Sequence, residues 1–147
     1  MKTREVMSEN PVCCLPTDNA QAVARMMCEQ NVGLIPVVSD QQSKRLLGVI
    51  TDRDLCCSIV ARGLDAKTTP IQNYISQHPF TCRDRENIEK CEGLMQEHQV
   101  RRVPVVDGNN CVIGIVSQAD LALKAKPDRL SKTVAEISKP TRTSAAA

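Results

Sequence analysis

Short apolar runs alternate with amphipathic segments along the chain, and this alternation predicts a mixed α/β fold. The runs at residues 34–38 and 46–50 are typical of buried strands. Between residues 20 and 30 the apolar side chains recur every three or four positions, which predicts a helix with one buried face. Pro36 interrupts the first run and predicts an edge strand or a bulge, because proline has no N–H for a sheet.

The second half of the chain repeats the pattern of the first. Residues 35–38 are matched by residues 103–106, and residues 10–12 are matched by residues 78–80. Each half is therefore predicted to contain strand, helix, strand, strand and helix. A repeat this short cannot bury both faces of its few strands alone. We expect two pseudo-symmetric β-α-β-β-α repeats packed sheet to sheet, with a groove where their equivalent turns face each other.

These repeats divide the chain into three predicted parts. Residues 1–68 form the first repeat with an N-terminal lead-in helix, and residues 69–126 form the second repeat. Residues 127–147 hold a C-terminal helix and a frayed tail. Helical spacing of Leu130 and Ile137 supports that last helix.

One turn occurs at the same place in both repeats, between the last strand and the last helix. Thr51 and Asp54 form it in the first repeat, and Ser117 and Asp120 keep the same spacing in the second. A hydroxyl and a carboxylate so spaced predict a helix N-cap. They also lie at a positive helix end, where a phosphate or sugar can bind. Capping alone is the simpler interpretation of either copy, and the repetition favours a ligand site.

Composition narrows the range of partners. The net charge is +2, from 19 basic and 17 acidic residues without a long basic run, and Tyr74 and Phe80 are the only aromatic residues. Neither electrostatics nor base stacking therefore favours nucleic acid. No stretch approaches the apolar length of a membrane helix, and the N-terminus lacks an apolar signal core. We expect a cytoplasmic protein without a membrane partner.

The chain contains eight cysteines, and without a signal peptide their even number does not indicate a disulfide framework. No pair has the Cys-x-x-Cys spacing, and the only imidazoles, His78 and His98, are expected at the surface. We interpret most of these cysteines as small buried hydrophobes and expect no metal site. A cysteine-based redox or metal protein remains the less favoured alternative.

The two copies of a hydrophobic-Pro strand followed by Gly-hydrophobic-x-(Thr/Ser)-x-x-Asp resemble the CBS domain (cystathionine β-synthase domain) in tandem, called a Bateman module. The resemblance covers about residues 5–125. The runs Thr-Asp-Arg-Asp-Leu, Gly-Leu-Asp and Gln-Val-Arg-Arg-Val-Pro-Val are similar to small stand-alone bacterial CBS-pair proteins of the stress- or hypoxic-response type. The resemblance implies regulatory binding of an adenosyl ligand (AMP, ADP, ATP, NAD or S-adenosylmethionine) between the repeats, without a catalytic cofactor.

The resemblance also implies roles for individual residues. Asp54 and Asp120 would hold ribose hydroxyls, and Thr51 and Ser117 would donate to phosphate. The adenine would lie against short strands and backbone in each repeat, at Val12, Cys14, Ile35 and Pro36 in the first and at Phe80, Cys82, Val103 and Pro104 in the second.

Three arginines are the implied phosphate ligands. Arg101 and Arg102 precede the Pro-containing strand of the second repeat, where the first repeat has Gly33 and Leu34. Arg53 lies in the first turn. The two repeats are therefore not electrically equivalent, and only one of the two adjacent arginines is expected to face the ligand, because neighbouring strand residues point to opposite faces.

The favoured function is a ligand-sensing module with no chemistry of its own. The sequence offers no nucleophile–base motif, metal cluster or Gly-rich phosphate loop, so we expect no enzyme activity. Such a sensor acts through an effector, which the sequence does not name, or through a homodimer. The resemblance implies helix-mediated pairing, with residues 56–60 and 88–95 as candidate contacts. A structural dimerisation module with empty pockets is the alternative.

Overall fold

The secondary structure follows the predicted order, except that the first strand of the first repeat is reduced to a single bridge. The computed structural model describes residues 1–77 and 80–140. Its elements are α1 (Thr3–Val6), β1 (Ser8–Glu9), α2 (Ala20–Gln30), β2 (Leu34–Val38), β3 (Leu46–Thr51), α3 (Asp52–Leu55), a π-helical stretch (Cys56–Val60), a 3-10 turn (Ile71–Asn73), β4 (Cys82–Arg83), α4 (Ile88–His98), β5 (Arg102–Val106), β6 (Val112–Ser117), α5 (Gln118–Lys124) and α6 (Pro127–Ser138). The prediction of a mixed α/β fold is confirmed.

These elements pack into two units that do not follow the chain boundaries of the repeats. The first-repeat unit contains residues 10–77 and 108–112. The second-repeat unit contains residues 1–9, 80–107 and 113–140, so the N-terminal segment packs with the second repeat. The division of the chain at residues 68 and 126 stays a prediction. His78 and the predicted frayed tail at 141–147 lie outside the described residues.

In the first-repeat unit, β2 and β3 form an antiparallel pair over an aliphatic core. Leu34 lies opposite Thr51, and the register shifts between Val37 and Val38, next to the predicted irregularity at Pro36. The short strand predicted at Val12 and Cys14 is only a single parallel bridge from Cys14 to Val37. Pro11 and Pro16 flank this bridge, and neither has an N–H with which to extend it.

In the second-repeat unit, four strands form a sheet in the order β1-β6-β5-β4. Strand β4 runs parallel to β5, and β1 runs antiparallel to β6. Helix α4 buries Ile88, Cys91 and Met95 completely. Helix α6 packs on α4 and buries Thr133, whose hydroxyl accepts a hydrogen bond from Gln96 Nε2 at 2.9 Å. The C-terminal helix is therefore docked on its own chain.

The glycine of the repeated motif lets a crossing segment approach the last strand. A Cβ on Gly48 would lie 2.3 Å from the carbonyl oxygen of Ser76, and Ser76 forms an isolated β-bridge with Val49. A Cβ on Gly114 would lie 2.5 Å from the sulfur of Met7, beside the pairing of β1 with β6. Real Cβ atoms do not come so close to other heavy atoms, so both positions require glycine or a local shift.

Candidate ligand-binding site

The turn of the first repeat is a helix cap with spare hydrogen-bonding capacity. The backbone N–H of Thr51 donates to Asp54 Oδ2 at 2.9 Å, and the backbone N–H of Asp54 donates to the Thr51 hydroxyl oxygen at 3.1 Å. Both residues are half-buried. Among the described residues, Asp54 Oδ1 accepts no hydrogen bond and the Thr51 hydroxyl proton has no acceptor. One acceptor and one donor are thus left for a ligand.

The turn of the second repeat uses the same cap, but its side chains bond to one another more fully. The backbone N–H and the hydroxyl of Ser117 both donate to Asp120 Oδ2, each at 2.8 Å. The hydroxyl of Ser8, in β1, donates to Asp120 Oδ1 at 3.1 Å. Both carboxylate oxygens therefore have protein donors. Sequence reasoning did not identify Ser8, because this contact joins residues far apart in the chain.

A main-chain contact joins each turn to the residue that precedes its Pro-containing strand. The N–H of Asp52 donates to the Gly33 carbonyl at 3.0 Å, and the N–H of Gln118 donates to the Arg101 carbonyl at 2.9 Å. Arg101 is thus anchored beside the second turn through its backbone, with its side chain exposed. The predicted phosphate ligand of the second repeat lies next to the predicted phosphate-binding hydroxyl.

The short strands predicted to approach adenine lie beside the Pro-containing strands. In the first-repeat unit the N–H of Cys14 donates to the Pro36 carbonyl at 3.0 Å. In the second-repeat unit Cys82 pairs with Val105. The predicted site residues fall into two sets, one in each unit: Val12, Cys14, Ile35, Pro36, Thr51, Arg53 and Asp54, and Phe80, Cys82, Arg101, Arg102, Val103, Pro104, Ser117 and Asp120. The predicted groove between the repeats stays a prediction.

The three predicted phosphate ligands carry charges that no described acid neutralises. Arg53 and Arg101 are exposed and Arg102 is half-buried. Among residues 1–77 and 80–140, none of the three is in an ion pair. A guanidinium without a carboxylate partner is available for bidentate binding of phosphate.

An aromatic contact that the sequence did not indicate lies at the start of the second-repeat strands. The rings of Phe80 and His98 stack with their centroids 3.4 Å apart and an interplanar angle of 6°. Phe80 remains 42% exposed, whereas the side chain of His98 is only 28% exposed. His98 therefore differs from the expected surface histidine.

Three of the four buried cysteines are poor nucleophiles, whereas the hydrogen bond with Cys91 lowers the pKa of the fourth, Cys82. Burial raises the pKa of Cys14 to about 12, and burial also raises the pKa of Cys13. The hydrogen bond with Cys82 is the largest cause of the raised pKa of Cys91. A thiol whose pKa is raised is rarely present as the reactive thiolate at neutral pH. Only four of the eight cysteines, Cys13, Cys14, Cys82 and Cys91, are buried, and Cys28, Cys56 and Cys57 are exposed, so the prediction that most of them are buried is wrong.

The described residues also have two features that concern metal binding and membrane insertion. Nowhere in residues 1–77 and 80–140 do three or more His, Cys, Asp or Glu side chains gather as they would around a metal ion. Within the same residues, every helix is too short or too polar to cross a membrane.

Known structures resemble this one over most of its length. A crystal structure of Hypoxic Response Protein I with two coordinated zinc ions is 31% identical in sequence to this chain. The match covers 84% of this chain and 98% of that protein's chain, with a TM-score of 0.75. A CBS domain protein from Pyrobaculum aerophilum complexed with AMP is 26% identical in sequence to this chain. The match covers 92% of this chain and 99% of that protein's chain, with a TM-score of 0.78. The zinc ions and the AMP belong to those proteins.

The sequence comparisons agree with the structural ones. The CBS domain-containing protein YhcV of Bacillus subtilis is 35% identical over 120 residues, which are 82% of each chain. The family model of the CBS domain matches residues 4–60 and 71–125, once for each repeat. The predicted resemblance is thus confirmed, and the chain belongs to the CBS domain family as a tandem pair.

Proposed function

We propose that this protein is a non-catalytic regulatory module that binds an adenosine-containing ligand through its two Thr/Ser-x-x-Asp turns. The unused Oδ1 of Asp54 and the unused hydroxyl proton of Thr51 carry the proposal, because both stay available to a ligand after the cap has formed. The related structure that contains AMP supports adenosine as the ligand class. CBS domain proteins are typically regulatory rather than catalytic.

The first turn matches the polar edge of a nucleotide. A carboxylate oxygen accepts hydrogen bonds from the vicinal diol of ribose, and Asp54 Oδ1 is available for this role. The Thr51 hydroxyl can donate to a phosphate oxygen while its own oxygen still accepts from the Asp54 N–H. The cap therefore holds both side chains in position before a ligand arrives.

The arginines explain why the ligand would carry phosphate. Arg53 lies in the first turn, and Arg101 and Arg102 lie beside the second. A charge-assisted hydrogen bond to phosphate contributes about 1.5–3 kcal/mol. We therefore expect AMP, ADP and ATP to bind more tightly than S-adenosylmethionine, which has no phosphate, and NAD to bind with intermediate affinity.

Signalling would follow from a change in population between two arrangements of the protein or its assembly, provided that the ligand binds one of them better. We propose a homodimer as the assembly. The π-helical stretch Cys56–Val60 is a candidate contact, since Val60 is 72% exposed. The other predicted contact, residues 88–95, is wrong in part, because its apolar side chains are already buried within the second-repeat unit.

A structural dimerisation module with empty pockets is the second candidate function. The second turn favours it, because Ser8 and Ser117 together already satisfy both oxygens of Asp120. Such a module would keep its dimer and show no response to nucleotides.

Thermal melting separates the two candidates. The purified protein is melted with AMP, ADP, ATP, NAD and S-adenosylmethionine, with GTP as the control for non-specific phosphate binding. A ligand at 100 times its dissociation constant adds about 2.7 kcal/mol, which raises the melting temperature by several degrees. We expect a shift with the adenine nucleotides and none with GTP. No shift with any compound, once extraction shows that no nucleotide co-purified, would leave the structural module.

A further inference from the structure

Two buried thiols are in contact in the core of the second-repeat unit. Cys82 lies in strand β4, Cys91 lies on the buried face of helix α4, and both belong to the same apolar cluster. A hydrogen bond joins the two thiols. Two sulfur atoms in hydrogen-bond contact are near enough to form a disulfide bond after small side-chain rotations. The pair therefore has a possible chemistry in addition to its packing.

Packing alone does not require two sulfur atoms at this place. In the matching of the repeats, Val23 of α2 occupies the place of Cys91, and both residues are completely buried. Cys14 occupies the place of Cys82. The first repeat thus fills the same positions with one thiol and one valine, so the thiol pair is a feature of the second repeat alone.

The two thiols of the pair differ in reactivity. The hydrogen bond with Cys91 holds the pKa of Cys82 below its ordinary value of 9.0, although burial opposes this. The same hydrogen bond, together with burial, raises the pKa of Cys91. The thiolate is the form of cysteine that reacts with peroxides. Cys82 is therefore the thiol that reacts first, and Cys91 is the thiol that can react with its product.

Strand β4 gives a small oxidant a route to Cys82. The strand has two residues, lies at the end of the sheet order β1-β6-β5-β4, and pairs only with β5 among the described strands. Thr81 and Arg83, on either side of Cys82, are half-buried and exposed. A short edge strand with few contacts opens locally at a lower cost than the whole unit. A molecule as small as hydrogen peroxide can then reach the Cys82 sulfur.

We propose that Cys82 and Cys91 form a peroxide-sensitive thiol pair that closes reversibly into a disulfide bond. The Cys82 thiolate attacks one oxygen of hydrogen peroxide, the O–O bond breaks and hydroxide leaves, so that Cys82 becomes a sulfenic acid. The Cys91 sulfur then attacks the Cys82 sulfur, the S–O bond breaks, and the hydroxyl group leaves as water with the Cys91 proton. Two thiols lose two electrons in total, and one hydrogen peroxide is reduced to two water molecules. This inference goes beyond the proposed function and does not depend on it.

The disulfide bond would attach the edge strand β4 covalently to α4. A disulfide restricts the unfolded chain, so the oxidised protein should melt about 5 °C or more above the reduced protein. A thiol reductant such as dithiothreitol should reverse the change by exchange. Oxidation would thus fix a strand that is otherwise free to open.

Peptide mapping after peroxide treatment tests the proposal. Trypsin cleaves after Arg83, Arg85 and Lys90, so that Cys82 and Cys91 fall on separate peptides, 68–83 and 91–101, each with a single cysteine. The reduced protein is treated with hydrogen peroxide, its remaining thiols are blocked with iodoacetamide, and the digest is analysed by mass spectrometry. We expect the two peptides to be joined by a disulfide bond in the wild type, and to be separate after dithiothreitol treatment.

Three variants identify the role of each thiol. Cys91→Val copies the first repeat and should leave Cys82 as a sulfenic acid, which dimedone labels. Cys82→Ala should leave Cys91 as a free thiol, because the raised pKa of Cys91 makes its thiolate scarce. Cys14→Ala, at the equivalent place of the first repeat, is the matched control and should form the disulfide bond as fully as the wild type does. Melting of the reduced variants checks that each is folded.

The opposite outcomes are equally clear. Free thiols at both Cys82 and Cys91, at a peroxide dose that oxidises the exposed Cys28, Cys56 and Cys57, would overturn the thiol pair. Equal dimedone labelling of Cys91 in Cys82→Ala and of Cys82 in Cys91→Val would overturn the order of the two steps. The nucleotide melting experiment uses the reduced protein, so failure of the thiol pair leaves the proposed sensor untouched, and failure of the sensor leaves the thiol pair untouched.

Discussion

The turns of the two repeats share a backbone but differ in what their side chains still offer. Thr51 and Ser117 have the same cap dihedral angles, φ −110° and ψ 163°, and both form reciprocal hydrogen bonds with the aspartate three residues on. In the first turn one oxygen of Asp54 has no donor among the described residues. In the second, Ser8 donates to the corresponding oxygen of Asp120. The backbone geometry that the two caps share therefore does not determine whether a cap can bind a ligand.

The groups that favour a nucleotide are divided unequally between the repeats. The first has unused hydrogen-bonding capacity at its turn and one arginine, Arg53. The second has two arginines and a ring stack, where the first has Gly33, Leu34, Val12 and Gln30. The two repeats therefore have similar strands and helices but differ in the side chains that could bind a nucleotide.

Substitution of the motif glycines should have the largest effect and should break the symmetry of the repeats. The Cβ of Gly48→Ala would meet a backbone carbonyl at 2.3 Å, whereas that of Gly114→Ala would first meet the flexible Met7 side chain. A backbone carbonyl cannot move aside as easily as the end of a flexible side chain. We expect Gly48→Ala to lower the free energy of unfolding by about 3 kcal/mol and Gly114→Ala by about 1 kcal/mol, measured by urea denaturation.

Gly93 provides the matched control for these two variants. It lies within α4, and a Cβ there would meet no atom within 4 Å. Gly93→Ala should therefore raise stability, by about 0.5–1 kcal/mol, through helix propensity alone. Equal losses for Gly48→Ala and Gly114→Ala would contradict the difference between the crossing segments.

Removal of Arg102 should sharpen the electrostatic difference between the repeats. The half-buried guanidinium has no described acidic partner. Arg102→Ala should weaken ATP binding about 10- to 100-fold, AMP binding less, and adenosine binding hardly at all, as measured by calorimetry. Arg85→Ala is the control, since Arg85 is an exposed arginine of the same unit that is not among the predicted phosphate ligands. An equal loss for adenosine and ATP would show that Arg102 acts structurally.

A buried carboxylate distinguishes α4 from α2. Glu92 is 3% exposed, and its Oε2 lies 3.5 Å from Nε of Arg129 in α6, whereas the matching position in the first repeat is Ala24. Burial raises the pKa of Glu92 above its ordinary value of 4.5, and the positive charge of Arg129 only partly opposes this. The folded protein therefore holds the Glu92 proton more tightly than the unfolded chain does.

The pH dependence of stability follows from this raised pKa. The contribution of Glu92 is most favourable below pH 4.5 and is lost as the pH rises through the raised pKa. Glu92→Gln lacks this loss. Its melting temperature relative to that of the wild type should therefore rise by about 2 °C or more as the pH increases from 4 to 8. Ala24→Gln controls for the amide. Parallel pH curves for Glu92→Gln and wild type would show that the buried charge costs nothing.

Local patterns in the sequence were sufficient to predict most elements of both repeats. Helix α2 spans Ala20–Gln30 and strand β2 spans Leu34–Val38, as their periodicity predicted, because each is defined by neighbouring residues. The helix after the first turn departs from the prediction. After one α-helical turn it widens into a π-helical stretch at Cys56–Val60, closed by an N–H of Ala61 that donates to the Cys56 carbonyl.

Contacts between distant residues could not be predicted in this way. The pairing of Ser8 with Asp120 and of Phe80 with His98 depends on how strands and helices pack, and neither pair has a recognisable spacing. The glycines of the repeated motif were recognised as a pattern, but the reason for them became clear only from the crossing segments. These long-range contacts are also the ones that make the two repeats different.

Removal of the Ser8 hydroxyl should make the second turn more like the first. Ser8→Ala leaves Asp120 Oδ1 without its donor, and an exposed hydrogen bond of this kind contributes about 0.5–1 kcal/mol to stability. The freed oxygen should then accept from ribose, and AMP binding at this repeat should tighten about 2- to 5-fold. Calorimetric titration with Asp54→Ala in the background isolates the second turn. The equivalent Ser76→Ala is the control, because its side chain makes no described hydrogen bond to Asp54. Weaker AMP binding in Ser8→Ala would mean that the serine orients Asp120 for the ligand instead of competing with it.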